Sequence, residues 1–212
     1  MAGFDREIGI LKEEIESRYH GKRLVVHINS VANFARESAR KIDPGNERLA
    51  EKVYLAGLAH DLYKGYDEES LRRYITDEAV PVDRETLRMG RGLLHAPAAA
   101  HYLRTRLGVS DTEIYEAVYY HTTGHPGAGI VEKILFCSDY LEPHRPQRAK
   151  EPDTHLLGRR MVQDLEGVYR EILGRKLAFT VHKGRALHPN GVAAWNEAVL
   201  NLPRNGKKRE KS

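Results

Sequence analysis

The chain has 212 residues, 41% of them hydrophobic and 30% charged, which is enough for one sizeable core and typical of a soluble globular fold. No apolar run approaches the roughly eighteen residues of a spanning helix, and "MAGFDREIGILKEEIE" carries charge throughout, so neither a membrane anchor nor a secretory or transit peptide is expected. The net charge of +4 and pI near 9.1 arise largely from the last residues, "RNGKKREKS", and no stripe of Arg and Lys interleaved with aromatics accompanies them, which argues against nucleic-acid binding.

Helical periodicity dominates from the N-terminus onward. Ile8, Leu11 and Ile15 share one face, as do Val31, Phe34 and Ser38. Asp43, Pro44 and Gly45 then break the chain before "YLAGLAHDLYKG", residues 54–65. Pro97 reads as a first-turn residue of "APAAAHYLRTRL", with Gly108 as its stop. Ser110 and Glu113 form a capping-box pattern, predicting a helix that runs to about His121. "TTGHPGAG" reads as a loop and "IVEKILFCSDYLEP" as a helix halted by Pro143. Its Cys137, the single cysteine of the chain, cannot pair internally and fits a reducing cytoplasm. Val168, Ile172 and Leu177 mark a later helix, and the strand-like "LAFTVHKG" reads as its frayed end. The expectation is an all-α fold of seven to nine helices, one domain over residues 1–202 with a basic tail at 203–212.

Eleven histidines are unusual, and their places matter more than their number. His27 shares the inward stripe of Val31 and Phe34. His60 and Asp61 end the small-residue helix, His95 stands before Pro97, and His121 ends the capped helix. Asp139 falls near a helix C-terminus, where the dipole disfavours a negative charge unless a cation faces it. One buried histidine is ordinarily a hydrogen-bonded core residue. The set His27, His60, Asp61, His95, His121 and Asp139, each at an element end or inward face, suits an N/O metal site for Fe, Mn, Zn or Mg.

The same ordered set resembles the HD superfamily of metal-dependent phosphohydrolases, which are all-α. "GLAHDLYK", "LLHAPAAAHYL", "YYHTTGHPG", "EKILFCSDYLEPHR" and "LHPNGVAAWN" are similar to the YqeK family of symmetrical bis(5'-nucleosyl)-tetraphosphatases. The resemblance implies a helical HD domain in a cytoplasmic, homodimeric enzyme that cleaves diadenosine tetraphosphate to two ADP by attack of metal-activated water. It implies iron, one ion or two, with Mn, Mg or Zn as alternatives, held by His27, His60, Asp61 and Asp139. Asp61, His95 and His121 would hold the second ion. Asp61, Lys64, His95 and His121 would be catalytic, and Asp61, Leu62, Tyr63, Lys64, His95, His121, Thr122, Thr123, Gly124 and Arg145 would contact nucleotide. Two positions depart from the family pattern. Arg23 stands four residues before His27, where the family has its Arg three before, and His125 replaces an Arg after "HTTG". Action on another nucleotide, or nucleotide sensing without turnover, are the alternatives to this reading.

Overall fold

The computed structural model describes residues 3–144 and 153–201, which leaves Arg145 and the tail 203–212 outside the described residues. The described residues form eleven helices and no strand. They are α1 (Asp5–Tyr19), α2 (Arg23–Ile42), α3 (Glu47–Ala59), α4 (Glu68–Asp77), α5 (Arg84–Met89), α6 (Arg91–Thr105), α7 (Thr112–Tyr120), α8 (Ile130–Leu141), α9 (Thr154–Met161), α10 (Leu165–His182) and α11 (Pro189–Leu200). The fold is all-α, and its count exceeds seven to nine partly because α5 and α9, six and eight residues long, are too short to show a periodic stripe. None of these helices is long and apolar enough to cross a membrane.

Side-chain caps set most of the helix starts. Asn46, Asp67, Asp83 and Asp164 each accept a backbone N–H from the first turn they precede. At α7 the cap is Asp111, whose carboxylate accepts from the Glu113 and Ile114 amides, so the helix starts two residues after the Ser110 that the capping-box pattern selects. Pro97 lies inside α6 and not in its first turn. Gly90, at φ 75°, ends α5 and opens α6, so His95 is carried by an established helix. A proline there leaves the Leu93 carbonyl without its helical donor, a local cost borne within the buried run Leu94–Ala100.

Helix α3 is the centre of the fold. Residues Val53–Ala59 are all buried, with α2, α7 and α8 against it and α1 covering part of its surface. Helices α6 and α7 close one side, while α10 and α11 pack together outside α8. The α2–α3 seam is built from small residues, and Gly57 is its closest point: a Cβ there would stand 2.6 Å from Ala32 Cα. This approach matters because α2 carries His27 and the end of α3 carries His60 and Asp61.

Gly57→Ala is expected to destabilise the protein. Alanine gains about 1 kcal/mol of helix propensity over glycine, but a methyl driven into neighbouring backbone costs about 1–3 kcal/mol or more. Urea unfolding should show a lower midpoint with an unchanged slope, and a midpoint at or above that of the wild type would contradict the seam.

Candidate active site

Five helices deliver their inward ends to one point. His27 comes from α2, His60 caps α3 with Asp61 in the following turn, His95 lies in α6, His121 caps α7, and Asp139 sits in the last turn of α8. His60, Asp61, His95 and His121 are almost wholly buried, whereas the His27 side chain keeps 15% of its surface open to solvent. The six expected ligand residues are thus brought together.

Asp61 stands in the middle. Its Oδ2 lies 3.3 Å from His27 Nε2 and 3.5 Å from His60 Nε2. Its Oδ1 lies 3.2 Å from His95 Nε2, 3.4 Å from His121 Nε2 and 3.1 Å from Lys64 Nζ. Asp139 Oδ1 adds a second carboxylate oxygen on the Oδ2 side, 3.3 Å from His27 Nε2 and 3.8 Å from His60 Nε2.

The outer nitrogens decide what the inner ones can do. His60 Nδ1 lies 2.7 Å from the Gly57 carbonyl, and His121 Nδ1 lies 2.7 Å from the Val118 carbonyl. A carbonyl oxygen only accepts, so both Nδ1 atoms carry the proton and both Nε2 atoms present lone pairs to the centre. His27 Nδ1 likewise donates to the Glu142 carboxylate at 3.1 Å. Metal-ligating imidazoles are usually held through their outer N–H in this way, which fixes the tautomer and aims the other nitrogen at the ion. His95 differs, since its buried Nδ1 has no partner among the described residues.

Lone pairs and carboxylates therefore converge on one point, and the electrostatics register it. Burial works against a charged His27 ring, yet hydrogen bonds to Asp139, Asp61 and Glu142 push its pKa up to about 10. Burial takes His60 down to about 4, and it lowers His95 and His121 as well. Burial also disfavours the Asp61 carboxylate, but His60, Lys64, His121 and His27 outweigh it and hold the group well below the usual range. Asp61, Asp139 and Glu142 thus favour a positive charge between them, which a bound cation could also supply.

The spacing fits one. Ligand atoms about 2.1 Å from a common ion, at tetrahedral or octahedral angles, lie about 3.0–3.4 Å apart. Two sets meet this condition loosely: single ligand atoms of His27, His60 and Asp139, and of His60, Asp61 and His121, each fall within 4.8 Å of one another. With one oxygen of Asp61 turned to each side, the donor set could hold one divalent ion or two.

Around this centre the expected contact residues divide. Lys64 reaches Asp61, while the Leu62 and Tyr63 side chains are buried in the core, Tyr63 among Tyr66, Tyr74 and Tyr102, so what they can offer a ligand is backbone. Thr122 and Thr123 line a cavity of about 490 Å³. Gly124 adopts φ 68° with Leu173 and Tyr169 packed where a Cβ would stand, so this turn accepts only glycine. His125 turns away from that cavity, stacking on Tyr120 at 4.1 Å and bonding the buried Glu132 at 2.9 Å. His188 caps α11 by accepting the Asn190 amide and meets Thr86 with its other nitrogen.

Several residues escaped the sequence reading. Glu142 is buried and orients His27 from 115 positions away in the chain; its signal was its place within "SDYLEPHR". Arg88, Lys176 and Arg185 join Thr122 and Thr123 around the 490 Å³ cavity, and Lys176 Nζ donates to the His121 carbonyl at 3.3 Å. They lie far from any motif and had no signal in the sequence.

The HD domain family model matches residues 24–166, a span that contains every ligand candidate. The symmetrical bis(5'-nucleosyl)-tetraphosphatase of Halalkalibacterium halodurans is 32% identical over 150 residues, covering 71% of this chain and 77% of that one. The chain belongs to the HD-domain family, among the symmetrical bis(5'-nucleosyl)-tetraphosphatases. The Bacillus subtilis enzyme of the same description is 26% identical to this HD hydrolase over 92% of the chain and 97% of its own length. A solved structure from Clostridium acetobutylicum, described as a predicted HD superfamily hydrolase involved in NAD metabolism, superposes with a TM-score of 0.78 at 26% identity, covering 94% and 98% of the two chains.

Glu142→Gln keeps the shape of the side chain but weakens its hold on the His27 N–H. It is expected to reduce divalent-metal affinity about 10–100-fold without loss of the fold, read by equilibrium dialysis with elemental analysis beside a circular-dichroism spectrum. Unchanged affinity would remove Glu142 from the support of the site.

Proposed function

We propose that this HD hydrolase cleaves diadenosine tetraphosphate at its central anhydride to give two ADP, with iron as the first choice of metal and Mn, Mg or Zn as substitutes. The observation that carries the reading is the Asp61 carboxylate, one oxygen to each side of a buried centre of imidazole lone pairs. The relatives described as symmetrical tetraphosphatases support the choice of substrate.

In this reading His27, His60, Asp61 and Asp139 hold one ion, and Asp61, His95 and His121 hold a second where two are bound. A divalent ion there lowers the pKa of a water and neutralises charge on phosphoryl oxygens. The protein's own groups do the rest. Lys64, paired with Asp61 at the centre, offers its ammonium to a phosphate oxygen, and Arg145 is assigned the same task. Where only one ion is bound, His95 is not a ligand, and its Nε2, 3.2 Å from Asp61 Oδ1, is placed to carry a proton to the leaving phosphate. His121 is held with its Nε2 inward by the Val118 carbonyl and serves as a ligand and orienting group.

One nucleoside end lies in the cavity beside Thr122, Thr123 and Gly124. Its walls combine apolar surface from Leu93, Leu173 and Leu177 with the cations Arg88, Lys176 and Arg185, a lining that suits a base next to phosphates.

Chromatography after incubation of the iron-loaded protein with diadenosine tetraphosphate is expected to show ADP as sole product, abolished in Asp61→Ala. AMP with ATP would overturn symmetric cleavage, and no product from metal-loaded protein would overturn the substrate. Lys176→Ala and Arg185→Ala are each expected to raise KM about 5- to 50-fold, the loss of one charge-assisted contact of about 1–2.5 kcal/mol. An unchanged KM in both would remove the cavity from the substrate path.

A further inference from the structure

Resting on that reading, we infer that the mouth of the metal centre is a second nucleoside diphosphate subsite, separate from the cavity beside Thr122, with the exposed face of Leu24 and Val26 as the platform for its nucleoside. A substrate split at its centre has equal halves, so the reacting atoms need a nucleoside diphosphate on each side of them. One half is assigned to the cavity beside Thr122, whose lining includes none of the six central residues.

A second cavity of about 580 Å³ opens on the other group of ligands. It is lined by Arg23, Leu24, Val26, Lys64 and His144 together with His27, Asp61 and Glu142, and it shares no residue with the first. Its composition repeats that of the first in kind: apolar surface from Leu24 and Val26, cations from Arg23 and Lys64, and a polar imidazole from His144. It is also the open side of the centre, since His27 is the one histidine of the cluster with its ring partly open to solvent.

Val26 is one of several exposed large apolar residues of the fold, and among them it is the one that lines this cavity. It is 54% exposed on the first turns of α2, adjacent to a metal-ligand candidate, where a polar side chain would be the ordinary occupant. A base laid on Val26 and Leu24 would cover it. The attached diphosphate would then run between Arg23 and Lys64 toward Asp61, bringing the central anhydride to the centre from the solvent side. Arg23 enters this site although it stands one residue earlier than the family pattern has its arginine, because positions three and four residues before His27 lie on the same side of a helix.

The test uses ADP as the probe, so that it reads binding without turnover and stays informative even if diadenosine tetraphosphate is not the substrate. Isothermal titration of the metal-loaded wild type is expected to give two ADP per chain, and Val26→Asp, an exposed position whose substitution leaves the core intact, is expected to give one. Val26→Leu, which keeps the apolar face, should restore two. With diadenosine tetraphosphate, Val26→Asp should raise KM about tenfold and change kcat by less. One ADP per wild-type chain, or two in Val26→Asp with unchanged KM, would overturn the second subsite. Loss of both ADP molecules in a Val26→Asp variant of native helicity would overturn its separateness from the first.

Discussion

Everything distinctive in this structure turns on placing one carboxylate, that of Asp61, between two groups of imidazole nitrogens inside a helical core. A buried carboxylate ordinarily costs stability unless it is paired, and its partners here are Lys64 and four histidines, two of which have their Nδ1 protons committed to backbone carbonyls. The residues around it make sense as a means of keeping that arrangement in place. Gly57 lets α2 and α3 approach, the Gly57 and Val118 carbonyls hold two rings, and Glu142 holds the third. A cation at the centre resolves the tension that the side chains leave among themselves.

The backbone frame serves the same end. Asp139 lies where the dipole of α8 repels a negative charge, and His60 and His121 sit at helix C-termini, where exposed carbonyls are free to accept their Nδ1 protons. Helix ends therefore give both the ligands and the groups that orient them. The glycine-rich turn after His121 then carries the chain out of the core with room for a ligand beside Thr122 and Thr123.

Much of this was legible in the sequence. The helical class followed from periodicity, and the six central residues followed from their types and positions, with the family resemblance supplying their grouping. The misses have definite causes. Pro97 follows the statistics of helix starts, but the Gly90 turn six residues earlier had already begun the helix. Ser110 and Asp111 are both competent caps, and sequence alone does not say which has the right backbone angles. Glu142 reaches His27, and Lys176 and Arg185 reach the cavity beside Thr122, only through the packing of segments distant in the chain, which no local pattern encodes. His125, which stands where the family pattern has an Arg, turns its ring to Glu132 and Tyr120, contacts that local sequence does not encode.

The most direct test of the account is the location of metal in crystals of the iron-loaded protein, from anomalous scattering collected on either side of the iron absorption edge. The account predicts an edge-dependent peak touching Asp61 Oδ2 and the Nε2 atoms of His27 and His60, with any second peak on the Oδ1 side beside His95 and His121. Iron bound elsewhere on the chain, or a centre that stays empty in protein shown by elemental analysis to carry iron, would contradict it.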